Sequence, residues 1–181
     1  MSRPYYYFVA SLPMLEFDKQ PPMTVEAFVS DCHRLLSDED STFIQQLILE
    51  DGREIIHPDQ ALQAIVRYNR NYYNALVWFR SQRAGQDPAR YLRGDQEKDF
   101  MWTEIFVRAA KLSNLLEGEK ILDYARWRGL DNLITGHQFD VAYLAAYGLK
   151  LKILERYRLV YSTKGSQFFE ELKQAEYSKK Y

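Results

Sequence analysis

Residues 118–161 read GEKILDYARWRGLDNLITGHQFDVAYLAAYGLKLKILERYRLVY, and their periodicity decides the fold. Two apolar-periodic runs flank a short break at Thr135-Gly136-His137-Gln138-Phe139. A connection that short makes two helices antiparallel neighbours, an αα-hairpin. In the second run Leu144, Tyr147, Leu151 and Leu154 share one helical face. Ala146, Leu149, Ile153, Tyr157 and Val160 lie on the adjoining arc, and only Lys152 and Arg156, beside Asp140 and Glu155, keep a narrow polar strip. A helix apolar on two sides is covered on two sides, either as the centre of a domain or as half of an interface.

The rest of the chain favours the first alternative. A run from Pro58 to Ala84 carries Leu62, Ile65, Asn69, Tyr72, Leu76 and Phe79 at helical spacing and would be roughly 40 Å long. Its opposite face, Arg67, Arg70, Asn71 and Asn74, reads as solvated. A second run, Gln96–Leu116, carries Trp102, Ile105, Ala109, Leu112 and Leu116, with Gly118 expected to interrupt it before the hairpin. Both stripes need a cover, as do Phe168, Phe169 and Leu172 in a terminal helix expected at Gln167–Tyr177. The helix Asp140–Tyr161 can supply those covers from inside the fold.

Shorter signals complete the chain. Tyr5–Ala10 is aromatic and β-branched, with strand character, and reads as a strand, a buried extended arm or a first helical turn. Pro21-Pro22 makes a stiff connector, after which Thr24 caps a helix over Val25–Leu36. Ser37-Asp38-Glu39-Asp40-Ser41 ends it, and either Ser37 or Ser41 can cap the next helix, read over Thr42–Glu50 and stopped by Asp51-Gly52. Pro58 is expected at the first position of the long helix. Gly85–Asp95 is the clearest joint in the chain, with a short helical piece at Ala89–Arg93. The expectation is a single all-α domain over 1–181: about seven or eight helices in an elongated bundle, with a C-terminal hairpin and a short extended N-terminal arm.

Composition narrows the function. The chain has 181 residues, 46% hydrophobic, enough to bury a core. A net charge of −1, from 24 basic and 25 acidic residues mixed along the chain, supplies neither a nucleic-acid footprint nor a polybasic membrane signature. A single cysteine, Cys32, permits no internal disulfide and suits a reducing compartment. With no apolar run long enough to span a bilayer, the protein is expected to be cytoplasmic.

Chemistry-bearing motifs are scarce. His33, His57 and His137 do not pair at the spacing of a helical zinc site, and the glycines stand singly at helix ends rather than in a phosphate loop. No nucleophile elbow occurs, and the acidic runs read as solvated faces. Hence no metal, no cofactor and no catalytic residue is expected, and a small enzyme is the weaker class. Tyr72, Tyr73, Tyr143 and Tyr147 lie on helical stripes without a basic groove, so core packing explains them better than base stacking.

Trp127 between Arg126 and Arg128 is the pointed surface candidate. If Leu122, Ala125 and Leu133 form the inward face, Arg126 and Trp127 cannot both be deeply buried, and such side chains dominate protein–protein hot spots. Packing of Trp127 against the next helix, with the arginines solvated beside Asp123 and Asp131, is the competing reading. Arg126, Trp127 and Arg128, with Lys152 and Arg156 from the polar strip of the second hairpin helix, are the candidate interface.

The N-terminal YYYFVASLPML (5–15), followed by Val25-Glu26-Ala27-Phe28-Val29-Ser30-Asp31-Cys32, resembles an uncharacterised family of bacterial proteins encoded beside V-type ATPase subunits. The hairpin agrees through Glu119-Lys120, Leu122-Asp123, Arg126-Trp127, Leu130-Asp131, Phe139-Asp140, Ala146-Tyr147, Leu149-Lys150-Leu151 and Leu154-Glu155-Arg156. That family is in turn distantly similar to the helical adapter of A/V-type ATPases, the funnel-shaped component between membrane ring and rotor shaft. The resemblance implies a non-catalytic structural or accessory role in ion transport, with ATPase subunits as partners and a location peripheral to the inner membrane. Self-association through the hairpin, or a free-standing helical interaction protein, is the alternative.

Overall fold

A computed structural model describes residues 5–49, 55–94, 100–112 and 114–160. Among them are seven α-helices and no strands: α1 (Tyr6–Ser11), α2 (Val25–Leu35), α3 (Asp38–Leu49), α4 (Gln60–Ala84), α5 (Phe100–Ala110), α6 (Leu115–Leu133) and α7 (Val141–Val160). A 3₁₀ turn at Pro88–Arg90 lies between α4 and α5. The all-helical expectation holds, and the helix expected at Gln167–Tyr177 lies outside the described residues.

Capping explains most boundaries. Thr24 Oγ1 accepts the Ala27 N–H at 3.1 Å, starting α2. Ser37 caps α3: its Oγ accepts the Asp40 N–H at 3.3 Å and donates to the Asp40 carboxylate at 2.9 Å. Of the two caps the sequence offered, Ser37 is the one used, so the acidic run 38–40 is the first turn of α3, where it meets the positive end of the helix dipole. Asp59 accepts from the Ala61 and Leu62 N–H groups at 2.9 and 3.2 Å, so α4 begins after it and Pro58 stands outside the helix. Asn114 accepts the Leu116 N–H at 3.0 Å, which places the break between α5 and α6 ahead of Gly118. Gly118 does not interrupt a helix. A Cβ there would lie 2.9 Å from the Ala109 carbonyl, so its hydrogen lets α5 and α6 approach. Asp140 opens α7 by accepting the Tyr143 N–H at 3.1 Å, closing the hairpin that the short break implied.

The N-terminal segment is a helix, not a strand or extended arm. A lone strand leaves its backbone unpaired, whereas α1 pairs its own and buries Phe8 and Val9. The Tyr5 N–H reaches the Phe139 carbonyl at 2.6 Å, and the Tyr6 and Phe139 rings lie 5.0 Å apart, which ties the chain start to the hairpin turn. Beyond α1 the chain runs as a strap across the hairpin. The Tyr147 hydroxyl donates to the Pro13 carbonyl at 2.9 Å. Phe17 packs edge-on against Tyr124, Trp127 and Tyr157, and Asp18 pairs with Lys120 at 2.5 Å.

Two hydrophobic cores result. The first gathers α1, α2, α3, the first half of α4, Leu130 of α6 and most of α7, with Phe28, Ile44, Ile48, Ile65, Leu144 and Leu151 fully enclosed. Gly148 is where α7 meets α2 and α3; a Cβ there would lie 2.8 Å from the Phe28 ring and closer still to Ile48. The second core gathers Tyr72 and Ala75 of α4, Trp102, Phe106 and Ala109 of α5, and Leu122 of α6. α7 is the central helix of the first core and packs on α2, α3, α4 and α6. The stripe of α5 is covered instead by α4 and α6.

Candidate functional site

Where α4, α6 and α7 converge, polar side chains occupy the interior beside the second core. Asn69, at a stripe position of α4, accepts a hydrogen bond from the Arg126 guanidinium, and both residues are buried. Arg126 also lies over the Tyr72 ring at 4.6 Å and the Tyr73 ring at 5.3 Å, a cation–π arrangement strengthened by exclusion of water. One α6 turn earlier, Asp123, 1% exposed, accepts from the Arg156 guanidinium of α7. The same guanidinium donates to Glu119 at 2.9 Å, so Arg156 ties α7 to two successive turns of α6.

The electrostatics follow from burial. Burial raises the Asp123 carboxyl above its ordinary value, while Arg156 and Arg126 pull against that rise. Burial works against the charge of Arg156, yet Asp123 and Glu119 outweigh it and hold the guanidinium firmly protonated. Burial lifts the Tyr72 phenol to about 12 despite the neighbouring Arg126, so it stays neutral. Asp123 is enclosed and paired, out of reach of any substrate. The cluster fixes the register of α7 on α6 and of α6 on α4; it is not an acid or base exposed to a reactant.

The five candidate interface residues scatter. Arg126 and Trp127 are both buried, at 6% and 7% exposed, which overturns the expectation that one must face solvent. The reason is that α6 is covered on more than one side. Arg126 turns to α4, while Trp127, one position on, is roofed by Phe17 of the strap at 5.5 Å and by the Lys150 ammonium of α7 at 5.0 Å. Lys152 is spent internally, donating to the Ile48 carbonyl at 2.5 Å, at the C-terminal end of α3 where a cation is favourable. Arg156 is half exposed but engaged with Asp123 and Glu119. Arg128 is exposed. These side chains therefore do not form one patch.

Two further readings change. Asn74 is buried rather than solvated: its amide donates to the Arg93 carbonyl at 2.8 Å and accepts the Arg93 N–H at 3.0 Å, so the joint after the 3₁₀ turn folds back on α4. Asp123 does not serve the flanking arginines at the surface; it belongs to Arg156, while Asp131 pairs with Lys150. The sequence reading missed the cluster, although Asn69 inside an apolar stripe was its signal.

Among the described residues no group of three or more His, Cys, Asp or Glu could hold a metal ion, and no helix is long and apolar enough to cross a membrane.

The fold and site define an all-α protein whose helical hairpin is held both by an N-terminal strap and by buried charges. A family model covering residues 55–175, well over half the chain, matches, and the chain belongs to that family, described as a protein of unknown function (DUF2764). The matched region takes in α4 to α7, with α1, α2, α3 and the strap lying before it. No match was found among curated proteins or among solved structures.

Proposed function

We propose that this protein acts without catalysis, as a helical structural or accessory component of a bacterial V-type ATPase, in the manner of the adapter that joins rotor shaft and membrane ring in proton or sodium transport. The observation that carries the reading is the α6–α7 hairpin. Its residues carry the resemblance to the ATPase-associated family, and its geometry suits a mechanical part. Helices of 19 and 20 residues run roughly 30 Å each. Arg156 bridges two turns of α6, and Phe17 fills the corner between Tyr124, Trp127 and Tyr157. A body so cross-braced transmits force without bending at the hairpin, which is what an adapter between shaft and ring requires.

Because Arg126 and Trp127 are interior, the partner surface in this reading includes Arg128 and the outer edge of Arg156. The test is affinity capture of the tagged full-length chain from its own cells, run beside Arg128→Glu. Recovery of V-type ATPase subunits with the wild type, reduced by the variant, is the expected result. Intact ATPase recovered with no trace of this chain overturns the proposal. Capture of unrelated proteins instead supports the second reading, a free-standing helical interaction protein.

A further inference from the structure

Along α5 and the first half of α6, beside Phe17 of the strap, lies an apolar groove of about 770 Å³. Phe17, Ile105, Leu112, Ile121 and Tyr124 line it, and its charged rim carries two cations, Arg108 and Lys120, against one acid, Glu117. Tyr124 is 50% exposed and Leu112 37%, and Leu116 beside them is also exposed. Side chains of that kind in one place mark a surface that something covers.

The course of the chain points to the occupant. α7 runs antiparallel to α6, so its end lies beside the start of α6, where the groove is. The Tyr157 ring is 6.1 Å from Phe17, which forms part of the groove wall, and α7 ends three residues later at Val160. Residues 161–181 follow and lie outside the described residues. Their sequence places five residues, Tyr161 to Gly165, before Ser166, enough to reach roughly 17 Å when extended. After Ser166 come Phe168, Phe169 and Leu172, which share one face if the segment is helical, with Glu170 and Glu171 beside them. The family match continues past α7 to residue 175 and includes all three apolar residues.

We propose that the groove between α5 and α6 is the docking site of the chain's own segment 166–177, with Phe168, Phe169 and Leu172 entering it and Glu170 and Glu171 answering Arg108. The two unmet needs match: an apolar face without a cover, and an apolar stripe arriving beside it on a short tether. Tethering gives the segment a local concentration on the order of millimolar, so even weak contacts keep it seated. Docking of this segment is independent of any role as an ATPase adapter.

The experiment uses the full chain with a nitroxide on Lys173→Cys. Cys32 is buried, its thiol pushed up to about 12 by burial and by Asp31, so the engineered thiol is the one that reacts. Loss of intensity at the Ile105 and Ile121 methyl resonances, unchanged when labelled chain is diluted into unlabelled chain of natural isotope content, is the expected result. Phe169→Glu/Leu172→Glu in the labelled chain restores those resonances and raises binding of an apolar dye, while far-ultraviolet circular dichroism stays close to that of the parent. Absence of broadening, or broadening that fades on dilution because a second copy supplied the segment, overturns the proposal. So does broadening that survives the double substitution.

Discussion

The core around Leu144 is filled mostly by aliphatic and small side chains from six helices, with Phe8, Phe28, Phe43 and Tyr147 among them, whereas the core around Trp102 is built largely of aromatic rings from three. The difference shows in what lies beside each. Methyl and methylene groups need no polar partner, so the first core closes on itself, with Gly148 letting α7 lie against Phe28 and Ile48. Rings bring π faces and polar edges, and the second core is bordered by Arg126 over Tyr72 and Tyr73, by the Asp123–Arg156 pair, and by an open apolar groove. One part of the molecule is held by shape; the other is held by shape and charge together, and it is the part with a surface left to fill. α4 and α6 run through both.

The sharpest way to break the comparison is to empty each core in turn. Phe106→Ala and Leu144→Ala, both at enclosed positions, should each cost about 3–5 kcal/mol in urea unfolding. All three tryptophans, Trp78, Trp102 and Trp127, lie in α4 to α6, while helix content reports the whole chain. If the cores form one cooperative unit through α4 and α6, fluorescence and circular dichroism shift together in both variants. A fluorescence midpoint that moves alone in Phe106→Ala would show that the second core unfolds by itself.

Next in size is the polar seam. Asn69→Leu leaves the Arg126 guanidinium buried without its acceptor and should cost about 1.5–3 kcal/mol, because bonds to charged groups are the strong ones. Asn69→Leu combined with Arg126→Met should recover much of that loss, since replacing both partners removes the orphaned charge. A double variant no better than the sum of the two single ones means the seam is not coupled as drawn.

Gly148→Ala sharpens the other side. The added methyl meets Phe28 and Ile48, so overpacking should cost about 1–3 kcal/mol, and Ile48→Val in the same chain should relieve part of it. No relief means that the strain falls on the Phe28 ring rather than on the Ile48 side chain.

The smallest effect is in pH. The folded Asp123 carboxyl lies above its ordinary value of 3.8, so between those two values the folded chain binds more proton than the unfolded one. Stability contributed by Asp123 is therefore present at the acid end and is lost as pH rises through the folded value. Relative to Asp123→Asn, which is neutral throughout, the wild type should lose ground as pH climbs out of the carboxylate range. Parallel stability curves for the two proteins would show that the arginines cancel the burial.

Much of the fold was legible because it is written in local chemistry. Thr24 and Ser37 each start a helix by accepting nearby backbone N–H groups, a signal confined to two or three residues; Asp59 and Asn114 do the same where the sequence pointed instead to Pro58 and Gly118. The two-sided apolarity of α7 implied its central place, and burial along Leu144–Leu149 bears that out. For α1 the sequence left strand, extended arm and helical turn open, and the helix prevails because aromatic and β-branched composition suits a strand only if another strand is there to pair with it. For Trp127 the packed reading is the one the structure shows: Arg126 and Trp127 look outward when α6 is imagined with one covered face, and the strap and α4 cover two more.

The sequence by itself determined which stretches are helical and where the hairpin turns, since periodicity and capping act between near neighbours. Only the tertiary structure decided which charged side chains are interior. That outcome depends on contacts between distant positions: Arg126 meets Asn69 across 57 residues, and Tyr147 meets Pro13 across 134. Burial of a charge is favourable only where a partner arrives in the same place, and no local pattern carries that information.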